Sequence, residues 1–492
     1  MQPLRTVLLL SLAGPTVVWA AEHYVAPEAT ARGDGSLQRP WTLAAVLAHE
    51  KAIQAGDTVW LRGGSYRGVW VSQLTGRPDQ PILVRQYPGE RATLEGTAAQ
   101  EAALTVNGAW AWYWGFELCN QWPDRTHGRG PGLNVFGDHI KCINLVVHDA
   151  GVGIGFWSTA TNSELYGCLV YNNGWQGSPP DRGHGHAIYA QNSQGTKSIR
   201  ENILFNQFGY GVHVYTEGGS IKGFDFEGNV AFNNGVLTRQ GAHYDNYLIG
   251  GYKPAERITL RENFGYHTPG KGGGNLSLGY QPIRVGQLTY GNADVLVESN
   301  YLGGGNVVCK YWTNVIMRGN TFALLSAGVS LDPGPGAATY HWDHNDYFLT
   351  RPAPFSCQRT GLGFADWKAR TGYDADSRLV DGRPPGLRVF VRRNAYETNR
   401  ANIIVFNWGV QEQVAVEVRG VLPPGTGFEV RNAQDFFGPP VLTGRYSGQP
   451  LWLPMTNLSV AQPLGVEARL RPTAPEFNVF VLLPRLSRLA TN

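Results

Sequence analysis

The sequence predicts an all-β chain, a β-solenoid followed by a small β-sandwich, on three observations. Composition is the first: of 492 residues 63 are Gly and 30 Pro, 12% are aromatic and 16% charged, against roughly 25% charged in an average soluble domain. Short β-branched runs punctuated by Gly and Asn favour many short strands over helices. The second is a repeat. Asn144, Asn202, Asn229, Asn263, Asn300, Asn320 and Asn345 each open a short apolar stretch, and Cys168 fills the same slot, so the motif recurs every 20 to 37 residues. An irregular period that always restarts on a strand is that of stacked coils with loops of variable length. Third, the text changes after Pro384-Pro385-Gly386. From there strands recur at about ten-residue spacing, as in a sandwich.

Within the repeat the Asn is read as a ladder, its amide bonding to the same residue one coil on. A second strand follows in each coil: Val152–Phe156, His186–Ala190, Val212–Thr216, Leu276–Leu278 and Val307–Tyr311. Alternation sends Ile154, Ile188, Val214, Leu278 and Cys309 inward. It sends Trp157, Tyr189, Gln191, His213, Tyr215, Glu217, Lys310 and Trp312 outward. Tyr189 and Tyr215 should then lie on one sheet in adjacent coils. Leu43–Ile53 has the pattern of a short helix capping the first coil, and the stretch around Phe364–Arg370 of a helix closing the last. Cys142 and Cys168, in equivalent strands, are either stacked apolar residues or a disulfide.

The opening His23-Tyr-Val-Ala-Pro27, then Gly33-Asp-Gly-Ser36, Arg39-Pro-Trp-Thr42, Ala55-Gly-Asp-Thr-Val59 and Arg62-Gly-Gly-Ser-Tyr-Arg67, resembles the start of secreted right-handed parallel β-helix proteins of the pectate-lyase-like superfamily. The resemblance spans roughly residues 22 to 385. It implies a right-handed parallel β-helix, and it leaves activity open, since that superfamily holds lyases, hydrolases, epimerases and adhesins. The expected organisation is a signal peptide at 1–20, the β-helix at 21–385 and the sandwich at 386–492. A solenoid buries its core between neighbouring coils, so a chain ending near Pro385 is expected to fold alone.

Met1–Ala20 carries Arg5, an apolar stretch and the small residues of a signal-peptidase site, which predicts secretion to the extracellular space or periplasm. No later segment has the length of apolar residues a membrane span needs. Forty-one basic and 38 acidic residues give a net charge of +3, too near balance for phosphate-backbone binding, so nucleic acid is not an expected partner. A monomer that binds a polysaccharide is expected.

The chemistry is expected on the outward face of the second strand. The longest loop, Asn172–His186, carries Asp181, Arg182, His184 and His186 to its edge. One coil later come His213, Tyr215 and Glu217, then His243, Tyr244 and Asp245. Coils stack about 4.8 Å apart, so these residues collapse into one patch. Eliminative cleavage of a uronide needs a group to offset the carboxylate, a base for the C5 proton and an acid for the leaving oxygen. Arg182 suits the first role, His184 or His213 the second, Tyr215 or Tyr189 the third. Tyr189, Glu217, His243, Asp181, Lys310 and Trp312 are the expected substrate contacts. Hydrolysis needs two carboxyl groups about 5 to 9.5 Å apart, for which Asp181, Glu217 and Asp245 are candidates. Gly183-His-Gly185 resembles a segment of polygalacturonase-type hydrolases, but their Asn-Thr-Asp and paired aspartates have no counterpart. A polysaccharide lyase is therefore the first reading. A glycoside hydrolase and a non-catalytic carbohydrate-binding protein are the alternatives. No cofactor is required by these residues, Ca²⁺ finds no motif of its own, and His341–Asp346 is split between faces by alternation.

Overall fold

A computed structural model describes residues 20–97, 99–239, 244–269, 273–279, 292–334, 337–467 and 469–485. The expected signal peptide, except Ala20, and His243 lie outside them. Three twelve-stranded sheets run the length of a right-handed parallel β-helix, each coil contributing one strand to each: sheet one starts with Glu22–Val25, sheet two with Trp70–Ser72 and sheet three with Gly64–Gly68. Pairing is parallel throughout except where Thr360–Leu362 turns back on Phe355–Cys357 at the end of sheet two.

The interior is built of columns. In sheet one Val59, Val84, Tyr113, Cys142, Leu165, Ile199, Phe226 and Leu260 are successive register partners, and all are buried. In sheet two Ile154, Ile188, Val214, Leu278 and Cys309 point inward with no exposure, as alternation requires. Cys142 and Cys168 are free thiols, and the Cys168 Sγ lies 3.5 Å from the Cys142 carbonyl oxygen. The helix Leu43–Leu47 buries Leu43, Val46 and Leu47 over the first coil. The helix Phe364–Thr371 places Trp367 over the last, its indole donating to the buried carboxylate of Asp374 at 2.8 Å.

The asparagines from Asn202 to Asn345 form one continuous ladder, while Asn144 accepts instead from Asn394 of the sandwich at 2.8 Å. The Nδ2 of Asn202 donates to Oδ1 of Asn229 at 2.9 Å, and the same bond repeats from Asn229 to Asn263, Asn263 to Asn300, Asn300 to Asn320 and Asn320 to Asn345. Each Oδ1 also accepts the backbone N–H of the preceding rung. An amide offers a donor and an acceptor at once, so every rung satisfies its neighbours in a dry interior.

Sheet three is apolar on both faces, the pattern of a sheet covered on each side. Inward lie Val147, Val170 and Leu204. Outward lie Val146, Leu169, Ile203, Val230 and Phe264 in one row and Tyr171, Phe205, Phe232 and Tyr266 in the next. The cover is the C-terminal antiparallel sheet, whose strands Leu387–Arg393, Ala401–Asn407 and Phe477–Pro484 adjoin in that order. Ile404, Phe406, Trp408, Phe477 and Val479 share a buried cluster with the outward rows. Polar contacts add to it: Trp408 Nε1 donates to Tyr301 at 2.7 Å, Tyr266 to Glu476 at 2.9 Å, and Arg392 to Glu201 at 2.6 Å. The sandwich is therefore no distant appendage. The expectation that the solenoid needs little from it took coil-on-coil packing to be the whole of the core, and sheet three has a second apolar face.

No helix among the described residues is long and apolar enough to cross a membrane.

Candidate functional site

The outward centre of sheet two reads, coil by coil, Asn134, Gly155, Tyr189, His213, Leu248 and Ser277. Tyr189 thus stands opposite His213. Tyr215, two residues on, is level with Gln191, whose Nε2 donates to the Tyr215 carbonyl at 3.4 Å. The two tyrosines share a sheet and adjacent coils, but they are diagonal rather than stacked.

Aromatic rings make a continuous strip up this face. Phe136 stacks on Trp157 at 5.8 Å, Trp157 meets Tyr189 at 5.6 Å, Tyr189 meets His213 at 5.4 Å, and His213 stacks on Tyr215 at 4.9 Å. Tyr252 closes the strip, 5.9 Å from Tyr215 and 42% exposed. Gly155 interrupts the central row. A Cβ there would collide with the Asn134 Oδ1 and the Trp157 indole nitrogen, which are bonded at 2.9 Å. Beneath the strip lies the fully buried ammonium of Lys197, which donates to the carbonyls of Phe156, Trp157 and Gln191 at 3.2, 2.6 and 2.7 Å. It fixes the backbone from which Trp157 and Gln191 project.

The polar centre is a histidine pair with a fixed direction. The backbone N–H of Tyr210 donates to Nδ1 of His186 at 3.1 Å. His186 must therefore carry its proton on Nε2, which donates to Nδ1 of His213 at 3.0 Å. The remaining ring nitrogen of His213, Nε2, then carries that ring's proton. Burial keeps both rings neutral: it pushes His186 well below its ordinary value and His213 down to about 3, with the Arg182 cation acting in the same sense on each. His213 is in consequence a hydrogen-bond donor at Nε2 rather than a base, which revises one of its expected roles. His186 is the residue that sets this direction.

One coil on, in the same row as Tyr210, sits Asp245; its carbonyl accepts the Gly211 N–H at 3.1 Å. Burial raises its carboxyl to about 7, against the opposing effects of a Ser277 hydrogen bond and the Lys310 charge. Tyr215 is driven upward as well, by burial and then by the neighbouring Glu217 and Tyr252, so its hydroxyl stays protonated. Tyr210, stacked 4.5 Å from His213, was not singled out from sequence, because it precedes the strand and falls outside the alternation that identified the others.

The loop residues are less free than expected. Trp175 and His184 bridge each other through their backbones at 3.1 and 2.8 Å, and their rings stack at 5.1 Å. The His184 Nε2 is 2.8 Å from Oδ1 of Asp181, whose other oxygen accepts the Gly177 N–H. Gly183 is buried, with its carbonyl held by Tyr244 at 2.9 Å. Only Arg182 of the four loop residues Asp181, Arg182, His184 and His186 is exposed. Among the described residues no hydrogen bond or ring contact joins His184 to His213. Glu217 is exposed at the margin, and Lys310, three coils from His213, lies 3.9 Å from Asp332.

Trp312 is not a substrate contact. It is fully buried in the helix interior, because Tyr311 takes a left-handed conformation at φ 58° and ends the strand, so the alternation that sends Lys310 outward does not extend to Trp312.

Among the described residues two groups of three metal-ligating side chains come together, and neither is on this face: Glu117 with Cys119 and His148, and Asp343 with His344 and Asp376. Glu117 is already bonded to Arg91, Thr93 and His148, and Asp343 to the amides of His344 and Asp376.

The chain is similar to several proteins of known structure. A pectate lyase, Pel9A, aligns with 74% of this chain and 80% of its own at 16% identity and a TM-score of 0.45. A rhamnogalacturonan lyase aligns with 61% and 82% at 15% identity and 0.47. A lacto-N-biosidase of family GH136 from Eubacterium ramulus aligns with 74% and 68% at 14% identity and 0.47. No curated protein matches. Residues 23–261 match the family model described as Pel9A-like, right handed beta helix region, and with three parallel sheets around one core the chain is a right-handed parallel β-helix carrying a C-terminal β-sandwich.

Proposed function

We propose that the sheet-two face binds an acidic polysaccharide outside the cell and cleaves it by β-elimination. The observation that carries this reading is the His186–His213 pair. Its hydrogen bonds give His213 a neutral, outward-facing N–H in the middle of an aromatic strip, with an exposed arginine on one side and a carboxyl near 7 on the other. Stacked rings suit sugar faces, and their spacing follows the coil rise of about 4.8 Å.

In this reading Arg182 and the His213 N–H hold the uronate carboxylate as charge builds on it during proton removal. Asp245, about half ionised near pH 7, takes the C5 proton. The C4–O bond breaks, a C4–C5 double bond forms, and the Tyr215 hydroxyl protonates the departing oxygen. His184 is left in a supporting role, since Asp181 engages its ring. Hydrolysis is less well served: of the three carboxyl groups near the face, Asp181 is tied to His184 and the Gly177 amide, which leaves Asp245 and Glu217, and Glu217 stands exposed at the margin beside Tyr215.

The test is to incubate the purified protein with polyuronides, neutral glycans and sulfated glycans. Elimination leaves an unsaturated ring that absorbs in the ultraviolet. His213→Ala should lower the rate by about 10² or more, and Asp245→Asn should abolish it. Reducing ends without that absorbance would replace the reading with hydrolysis. Binding with neither product would make the face a carbohydrate-binding surface.

A further inference from the structure

A second site lies on another side of the molecule. Where the corner between sheets one and three meets the sandwich there is a cleft of about 770 Å³, within the size range of ligand pockets and at a domain junction, where such pockets favour forming. Four carboxylates line it, and each already has a guanidinium: Glu90 with Arg62 at 2.6 Å, Glu117 with Arg91 at 2.7 Å, Glu397 with Arg400 at 2.9 Å, and Glu429 with Arg431 at 2.6 Å. Arg85 is left over. Its guanidinium carbon lies 4.1 Å from the Trp114 ring centroid and 5.1 Å from that of Trp60. Its buried Nε has no acceptor, and among the described residues it makes no ion pair. The Arg400 Nε, lining the same cleft, also lacks one. Burial pushes the Arg85 pKa down, offset by Glu397, which is the signature of a cation short of counter-charge.

A cation held against two indoles, in a cleft where Arg485 is a further cation beyond the paired charges, is arranged for a planar anion with an apolar face beside it. We infer that this cleft binds a carboxylate-bearing saccharide, with Arg85 pairing the carboxylate and Tyr87 taking the sugar ring, at a site separate from the sheet-two face. The inference goes beyond the catalytic reading and does not depend on it. A polymer held here would be anchored by the junction of helix and sandwich rather than by the sheet that acts on it.

The test uses the full chain carrying His213→Ala, in which the sheet-two face is impaired and the cleft is intact. It is titrated calorimetrically with trigalacturonate and trimannuronate, with cellotriose and inorganic sulfate as comparisons. One site for an acidic trisaccharide is expected, weakened at least tenfold by adding Arg85→Gln. Arg85→Lys, which keeps the charge and loses the planar fork, should also weaken it. In the otherwise unaltered chain Arg85→Gln should leave turnover on any cleaved glycan unchanged. Absence of binding by either acidic trisaccharide, equal binding of cellotriose or of sulfate, or indifference to both Arg85 variants would overturn the inference. Because His213→Ala is present throughout, failure of the elimination reading leaves this result untouched.

Discussion

Ending the chain at Pro385 removes the cover from sheet three, and the cost follows from what it covers. Val146, Leu169, Tyr171, Ile203, Phe205, Val230, Phe232, Phe264, Tyr266 and Tyr301 are all buried in the cluster shared with the sandwich. Fully burying such a side chain contributes about 1.5–3 kcal/mol. Their flanks would still be covered by coil neighbours, so about 1 kcal/mol each is a fair share, or about 10 kcal/mol in all. That equals the whole stability of an ordinary domain. The shortened chain should therefore be insoluble or oligomeric, bind a hydrophobic dye, and unfold well below the intact protein. Replacing Phe205 and Phe232 by Thr in the shortened chain should improve its solubility, since both rings are outward and not part of the coil interior. A monodisperse shortened chain with an unchanged melting temperature and no dye binding would refute the reasoning.

Three further outcomes are expected. Asn263→Ala removes the acceptor of both bonds that Asn229 gives it and the Nδ2 donor it offers to Asn300; at about 1–3 kcal/mol per stranded group, denaturant titration should show a loss of several kcal/mol, and Asn263→Asp should also destabilise. Asp245 has a folded value near 7, raised above its unfolded one, so the folded state holds its proton more tightly and stability falls as pH rises between the two values; Asp245→Asn should flatten that decline in melting curves recorded from pH 4 to 8. His148 is opposite in sign: Asp149 and Glu117 overcome burial and raise it to about 9, so its contribution is complete below the unfolded value near 6.5 and is lost as pH rises through 9, a loss that His148→Gln should erase.

The repeat was legible because its physics is local. A rung needs one amide at one strand start, and period two assigns the inward residues wherever the strand is regular. Trp312 was misplaced where that regularity stops, at the left-handed Tyr311, a conformation no alternation rule registers. Docking of the sandwich had a visible sign, the unbroken apolar runs Leu169-Val-Tyr171 and Ile203-Leu-Phe205, which mark a sheet buried on both sides. The direction of the histidine pair was beyond reach, since it rests on one backbone N–H from Tyr210. Asp245 entered only as one of three possible hydrolytic carboxyls, because burial rather than residue type sets its proton affinity.

The asparagine ladder also says how such a molecule can be rewritten. Its rungs are separated by 27, 34, 37, 20 and 25 residues, yet the bond between them stays within 2.9–3.0 Å. The surplus chain is spooled out at corners, away from the rungs, so a coil can lengthen or shorten without the stack registering it. Asn172–His186 is one such spool, and a different loop grafted between the same two strands should inherit a ready-made foundation. The ladder acts as a ruler that is blind to cargo, leaving a lineage free to exchange what it carries on the outside while its thread remains the same.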